Sequence, residues 1–247
     1  MKHLFLCRIL PGLLLMLVYS AAGAQFISKG YIEYERKTNQ YAFMDENDTW
    51  DQLMKKSFSK FITAYYDLYF TSSKTLFKPG RDPEEKQNKY WGALPADNIV
   101  FANLDSNRMV TQKTMYSNTY LISDSLRHID WRIGTEMRTI AGFNCRKAVG
   151  KILDSIVVVA FYSEEIIPSG GPESFTGLPG MILGLAIPRA HTTWYATKIQ
   201  VNDPSPANLA VPRKGKKMEG PEFYQQLSEI MKNWDESFRE KQWQVLY

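Results

Sequence analysis

Between residues 99 and 201 the chain breaks into short runs rich in β-branched and aromatic residues, at 99–103, 108–115, 119–124, 126–133, 136–140, 145–151, 155–162 and 192–201. Turn-forming pairs such as Asp105-Ser106, Ser117-Asn118 and Asp154-Ser155, together with Gly142, separate them. A spacing near ten residues with so few helical periods implies an antiparallel meander. The earlier sequence supports the same reading. Residues 30–37 alternate Tyr31 and Glu33 against Ile32 and Tyr34, residues 60–71 are dense in β-formers, and 73–78 reads as their hairpin partner.

Three stretches stand apart from that pattern. Residues 48–54 carry Trp50, Leu53 and Met54 on one helical face, capped by Asp48 or Thr49. Residues 79–98 are a long polar insertion, expected as a solvated surface loop, with Tyr90-Trp91 as a cover over a cleft. Residues 203–219 are expected as a linker, and from 220 a helix begins whose Phe223, Leu227, Ile230, Trp234 and Phe238 form one apolar stripe. About ten strands against one long helix predict a mainly β domain over 25–202. Its antiparallel sheet is curved into a partly open barrel, and the C-terminal helix 220–247 docks on its concave or open side. A two-sheet sandwich is the alternative.

One segment departs from simple alternation. Gly170-Gly171-Pro172 and Gly177-Leu178-Pro179-Gly180 bracket a loop that runs straight into the apolar stretch 181–187, stopped by Pro188. Glycines at such positions allow turns closed to other residues, so Gly177 or Gly180 should have a positive φ. With the upstream blocks Gly142-Phe143-Asn144-Cys145-Arg146-Lys147-Ala148 and residues 160–168, this stretch resembles the GLPGLI family of exported bacterial proteins. The match in order and spacing covers about residues 131–201. Met181, Phe161, Phe143 and Gly184 depart from the family's usual leucine, tryptophan, tyrosine and polar residue. The resemblance implies export and no agreed activity.

Residues 1–24 read as a signal peptide, with Lys2 and Arg8 before an apolar core and Ala22-Gly23-Ala24 before the cleavage point at Gln25. The core is too short to span a bilayer, so no transmembrane segment is expected in the mature chain, which is placed in the periplasm or at the outer membrane. Processing removes two of the positive charges that make up the net +4, and what is left argues for neither nucleic acid nor an anionic membrane. Cys7 leaves too. Cys145 is then the single thiol, and no internal disulfide can form.

The candidate chemistry is sparse. A cysteine nucleophile needs a nearby base, and His191 is the one suitable candidate. A metal site of Cys145, His128 and His191 has no helical ligand spacing behind it, so no metal and no cofactor is expected. Glu164, Glu165 and Glu173 read as solvated loop acids, because adjacent residues of an extended segment face opposite ways. The leading expectation is therefore a non-enzymatic exported protein that binds or assembles in the cell envelope. Its partner would be an envelope protein, or an apolar or peptide-like ligand held by its aromatic surface. A thiol-dependent enzyme or redox protein using Cys145 with His191 is the alternative.

Overall fold

In the computed structural model, which describes residues 26–89, 97–115, 118–153 and 155–232, one twelve-stranded sheet carries almost the whole core. A first meander runs through β1 (Gly30–Asn39), β2 (Phe61–Phe70), β3 (Lys74–Pro79), β4 (Ile99–Asn103), β5 (Arg108–Met115) and β6 (Asn118–Ser125). A second comprises β7 (Arg132–Ile140), β8 (Phe143–Ile152), β9 (Ile156–Ser163), β10 (Met181–Ile187) and β11 (Thr192–Gln200). They are joined by antiparallel pairing of β1 with β11, and β12 (Lys216–Glu219) returns to add a parallel strand beside β6. The resulting order is β12-β6-β5-β4-β3-β2-β1-β11-β10-β9-β8-β7.

That order requires strong curvature. Strands β6 and β7 are ten positions apart, about 48 Å in a flat sheet. Yet residues 126–131 connect them, and seven Cα steps reach about 25 Å at most. The sheet must therefore curl until its two ends approach. Side chains show the same closure on the second meander: Arg138 of β7 lies 4.6 Å from the Phe161 ring of β9 and donates to the Tyr195 hydroxyl of β11 at 3.3 Å. The curl stops short of a closed barrel, with β12 and β7 as its edges. It is one sheet, so the sandwich alternative falls.

Alternation then decides what faces in. In β1, Ile32, Tyr34 and Arg36 are buried while Tyr31, Glu33 and Glu35 are partly exposed. Tyr66, Leu68 and Phe70 of β2 and Phe77 of β3 extend the same core, with Tyr66 stacked on Phe77 at 4.9 Å. The helix α2 (Gly220–Met231) opens with Pro221 and packs Phe223 and Leu227 against Ile122, Met218 and Tyr120. Of the expected apolar stripe, Trp234 and Phe238 lie outside the described residues, as do the expected cover Tyr90-Trp91 and the expected signal peptide. Among those that are described, no helix is long and apolar enough to cross a membrane.

Two expectations change. Residues 126–131 are not a strand, because they must cross between sheet ends; their Leu126, Ile129 and Trp131 pack into the core instead. The stretch 203–219 is not only a linker, since its last four residues form β12. The short helix α1 (Thr49–Met54) forms as expected, capped by Asp48, whose carboxylate accepts from the Trp50 and Asp51 amides; its Trp50 and Leu53 are exposed.

Candidate functional site

The loop between β9 and β10 folds back onto the inner face of the sheet. Two backbone bonds fix its return: Met181 donates to Ile166 and Ile182 donates to Gly170. Gly177 and Gly180 have φ of +94° and +145°, as expected for this turn, and a Cβ on Gly180 would lie 2.2 Å from the Ser163 carbonyl oxygen. Gly170 approaches so closely that an added Cβ would meet Thr75 of β3 at 2.9 Å. Gly171, Pro172, Phe175 and Leu178 are buried, and Trp131 from the crossing segment donates to the Thr176 carbonyl at 2.9 Å. The loop is a plug inserted between the two meanders. Between Gly170 and Gly180 its exposed residues are Gly177 and Pro179.

Glu173 sits at the inner end of that plug, with φ of +55°. It is only 4% exposed, so the reading of Glu173 as a solvated loop acid is corrected. Glu164 and Glu165 are exposed as expected. The Glu173 carboxylate accepts from Asn98 Nδ2 at 3.0 Å and lies 3.8 Å from Arg36 Nη1. Arg36 in turn lies 3.9 Å from Asp97 and 4.6 Å from the Tyr66 ring, whose hydroxyl donates to Asp97 at 2.9 Å. Burial pushes the Glu173 carboxyl above its ordinary range, while Arg36, the Asn98 amide and Lys113 pull it back.

Lys113 of β5 is 5% exposed and belongs to the same buried group. Burial lowers its amine to about 8; Glu173 opposes that shift and the like charge of Arg127 adds to it. Lys113 and Arg127 also line a recess of about 30 Å3 with Asn98, Thr111, Ser174 and Phe223. Beyond it lies a cavity of about 590 Å3, bounded by Leu126, His128, Leu153, Leu227 and Ser228. Met109, Asp124, Arg127 and Tyr224 border both spaces. The site therefore lies where β5, β6, the plug and α2 meet.

The thiol lies elsewhere. Cys145 on β8 is fully buried, its Sγ 3.5 Å from the Phe143 carbonyl oxygen, and burial pushes the thiol up to about 11. His191 follows β10 in a left-handed conformation, exposed, with its ring edge-on to Phe43 at 5.5 Å. The register puts Arg146, Tyr162 and Ile182 side by side near the start of β10 and pairs Ile187 with Thr192 at its end. Cys145 and His191 are thus separated by most of that strand, about 16 Å. His128 is exposed beside Asp130 at 3.1 Å. Among the described residues no three His, Cys, Asp or Glu side chains gather as a metal site would require.

Sequence reasoning passed over Arg36, Asn98, Lys113, Arg127 and Ser174. A signal existed for two of them: Arg36 stands in phase with Ile32 and Tyr34, and Lys113 in phase with Met109 and Thr111, both on inward-facing positions. A charge in the apolar phase of a strand demands a buried partner.

A family model described as a protein of unknown function (Porph_ging) matches residues 150–184, from the end of β8 through the plug into β10. No curated protein matches the sequence. Among solved structures, the chain is similar to PNGF-II in two crystal forms, at 15% identity with TM-scores of 0.53 and 0.52. The alignments cover 80% and 81% of this chain and 32% and 33% of PNGF-II, so the chain spans about a third of that protein. An uncharacterized conserved protein from Thermus thermophilus aligns at 8% identity and a TM-score of 0.39, over 78% of this chain and 91% of that one. The PNGF-II likeness is one of fold.

Proposed function

We propose that this chain is a non-enzymatic binding protein of the bacterial cell envelope, a relative of the GLPGLI family exported with removal of residues 1–24. Its ligand sits between the sheet and α2. One observation carries the reading: a cavity of about 590 Å3, within the size range of small-molecule sites, walled by Leu126, Leu153 and Leu227 with a few polar groups at one side. The plug supports it by holding that wall rigid, since Ser174 lines the recess beside the cavity. A buried thiol held near 11 and about 16 Å from His191 weighs against the thiol-dependent alternative.

Native mass spectrometry of the protein purified from its own envelope fraction tests this. A small molecule should remain bound, and the intact mass should correspond to a chain beginning at Gln25. An empty protein whose Cys145 reacts rapidly with an alkylating agent, losing an activity as it does so, would instead favour the enzyme. Retention of residues 1–24 in the envelope protein would overturn the export step alone.

A further inference from the structure

We propose that β7 is a docking edge for a second copy of this chain, the two β7 strands pairing antiparallel about a two-fold axis at Met137 so that the sheets of two molecules become one.

The two edges of the sheet differ. At one end β12 is four residues long, exposes Lys216, Lys217 and Glu219, and has Met218 covered by Phe223 and Leu227 of α2. Shortness, charge and a covering element all keep an edge from recruiting another strand. At the other end β7 runs nine residues and is exposed from Arg132 through Thr139, apolar Ile133 and Met137 included. An edge strand of this kind offers a row of backbone donors and acceptors that a further strand can satisfy.

Its charges favour a second copy as that strand. With Met137 opposite Met137 of the second copy, Glu136 falls opposite Arg138, Arg138 opposite Glu136, and Thr135 opposite Thr139. Opposed residues of antiparallel strands share a face, where opposite charges and paired threonines are both favourable. Moving the axis by one residue either way sets Glu136 against Glu136 or Arg138 against Arg138, so charge selects the register. An axis at Gly134 would also match charges, Arg132 against Glu136. It centres, however, on the irregular stretch between Ile133 and Met137, where three β7 residues stand opposite Lys147 alone, whereas 137–140 keep an unbroken register with β8. Present contacts can persist in the pair. Glu136 accepts from Lys147 through Oε2 at 2.6 Å and Arg138 donates to the Tyr195 hydroxyl through Nη1. A carboxylate accepts several donors and a guanidinium carries five. Because the same edge is used by both copies, the contact closes on itself and association stops at a dimer.

Sedimentation equilibrium of the purified protein at rising concentration is the test, and a reversible monomer-dimer equilibrium is expected. Glu136→Arg and Arg138→Glu should each raise the dimer dissociation constant at least tenfold, since either change sets like charges opposite one another. The double variant Glu136→Arg with Arg138→Glu should return it to within about threefold of the wild type, a recovery that misfolding would not produce. Met137→Cys should cross-link two chains through the introduced thiols on air oxidation, because directly opposed residues have Cα atoms about 4.5–5.5 Å apart, within disulfide range. A protein that is monomeric at every concentration overturns the proposal. So does a dimer that ignores both charge reversals and leaves Met137→Cys uncross-linked, which would place the contact elsewhere. Protection of the β7 amides from hydrogen exchange only when a different protein binds would assign the edge to that partner and likewise overturn self-pairing.

Discussion

Two buried places in this sheet hold reactive side-chain types, and they are built on opposite terms. Cys145, in the second meander, is a neutral group among apolar neighbours, with weak contacts to the backbone at Phe143 and Ile140. Burying a thiol costs little, because it behaves as a small hydrophobe. In the first meander Arg36 and Lys113 are withdrawn from water along with Glu173, and each such ion costs several kcal/mol unless charge and hydrogen bonds offset it. The thiol stands out in the sequence because it is rare, and it carried only the alternative reading. The charged group is the stronger candidate because a fold that only needed stability could have filled those positions with apolar residues.

Glu173→Leu breaks that comparison most directly. It leaves Arg36 and Lys113 buried without their carboxylate, and removing one member of a buried pair costs about 3–5 kcal/mol. Urea unfolding at neutral pH should show a loss of this order. A loss below about 1 kcal/mol would mean the guanidinium and amine are adequately solvated without Glu173, and the charged region would be no more costly than the thiol.

Lys113 offers the next largest effect, and it depends on pH. Between about 8, where the folded protein gives up this proton, and the ordinary lysine value of 10.5, the unfolded chain still holds it. The unfolded state then binds more protons, so stability should rise with pH across that window, by up to about 3 kcal/mol. Lys113→Met should lose this rise. Parallel urea curves at pH 7.5 and 10 on the two proteins measure it, and identical slopes would mean that the amine is not held neutral by the fold.

The legibility of the molecule follows the range of the interactions. Strands such as β4 and β5 could be read to the residue, because alternation and turn pairs are local. The turn at Gly177 and Gly180 was readable for the same reason. By contrast, β12 has one apolar residue in Lys216-Lys217-Met218-Glu219 and exists through its parallel pairing with β6, a contact no local pattern encodes. The crossing segment 126–131 is composed like a strand, and only the strand order shows that it must span the opening. The charged site is the extreme case. It joins residues 36, 98, 113 and 173, and Glu173 stands in a loop where an acid is ordinarily solvated, so nothing short of the plug's inward fold would bury it.

The smallest expected effect is at the thiol, and it sharpens the comparison from the other side. Cys145→Ala removes one buried sulfur from a packed strand and no charge partner, so it should cost about 1 kcal/mol, far less than Glu173→Leu. Burial keeps the thiol protonated well above neutral pH, and the thiolate is the species that reacts. Alkylation of Cys145 in the folded protein at pH 7.5 should therefore proceed only as fast as the region opens, and should accelerate sharply in denaturing urea. Ligand retention by Cys145→Ala should match that of the wild type in native mass spectra. Rapid modification of the folded protein, accompanied by loss of the bound molecule, would make the sulfur part of the site and reverse the contrast between the two halves.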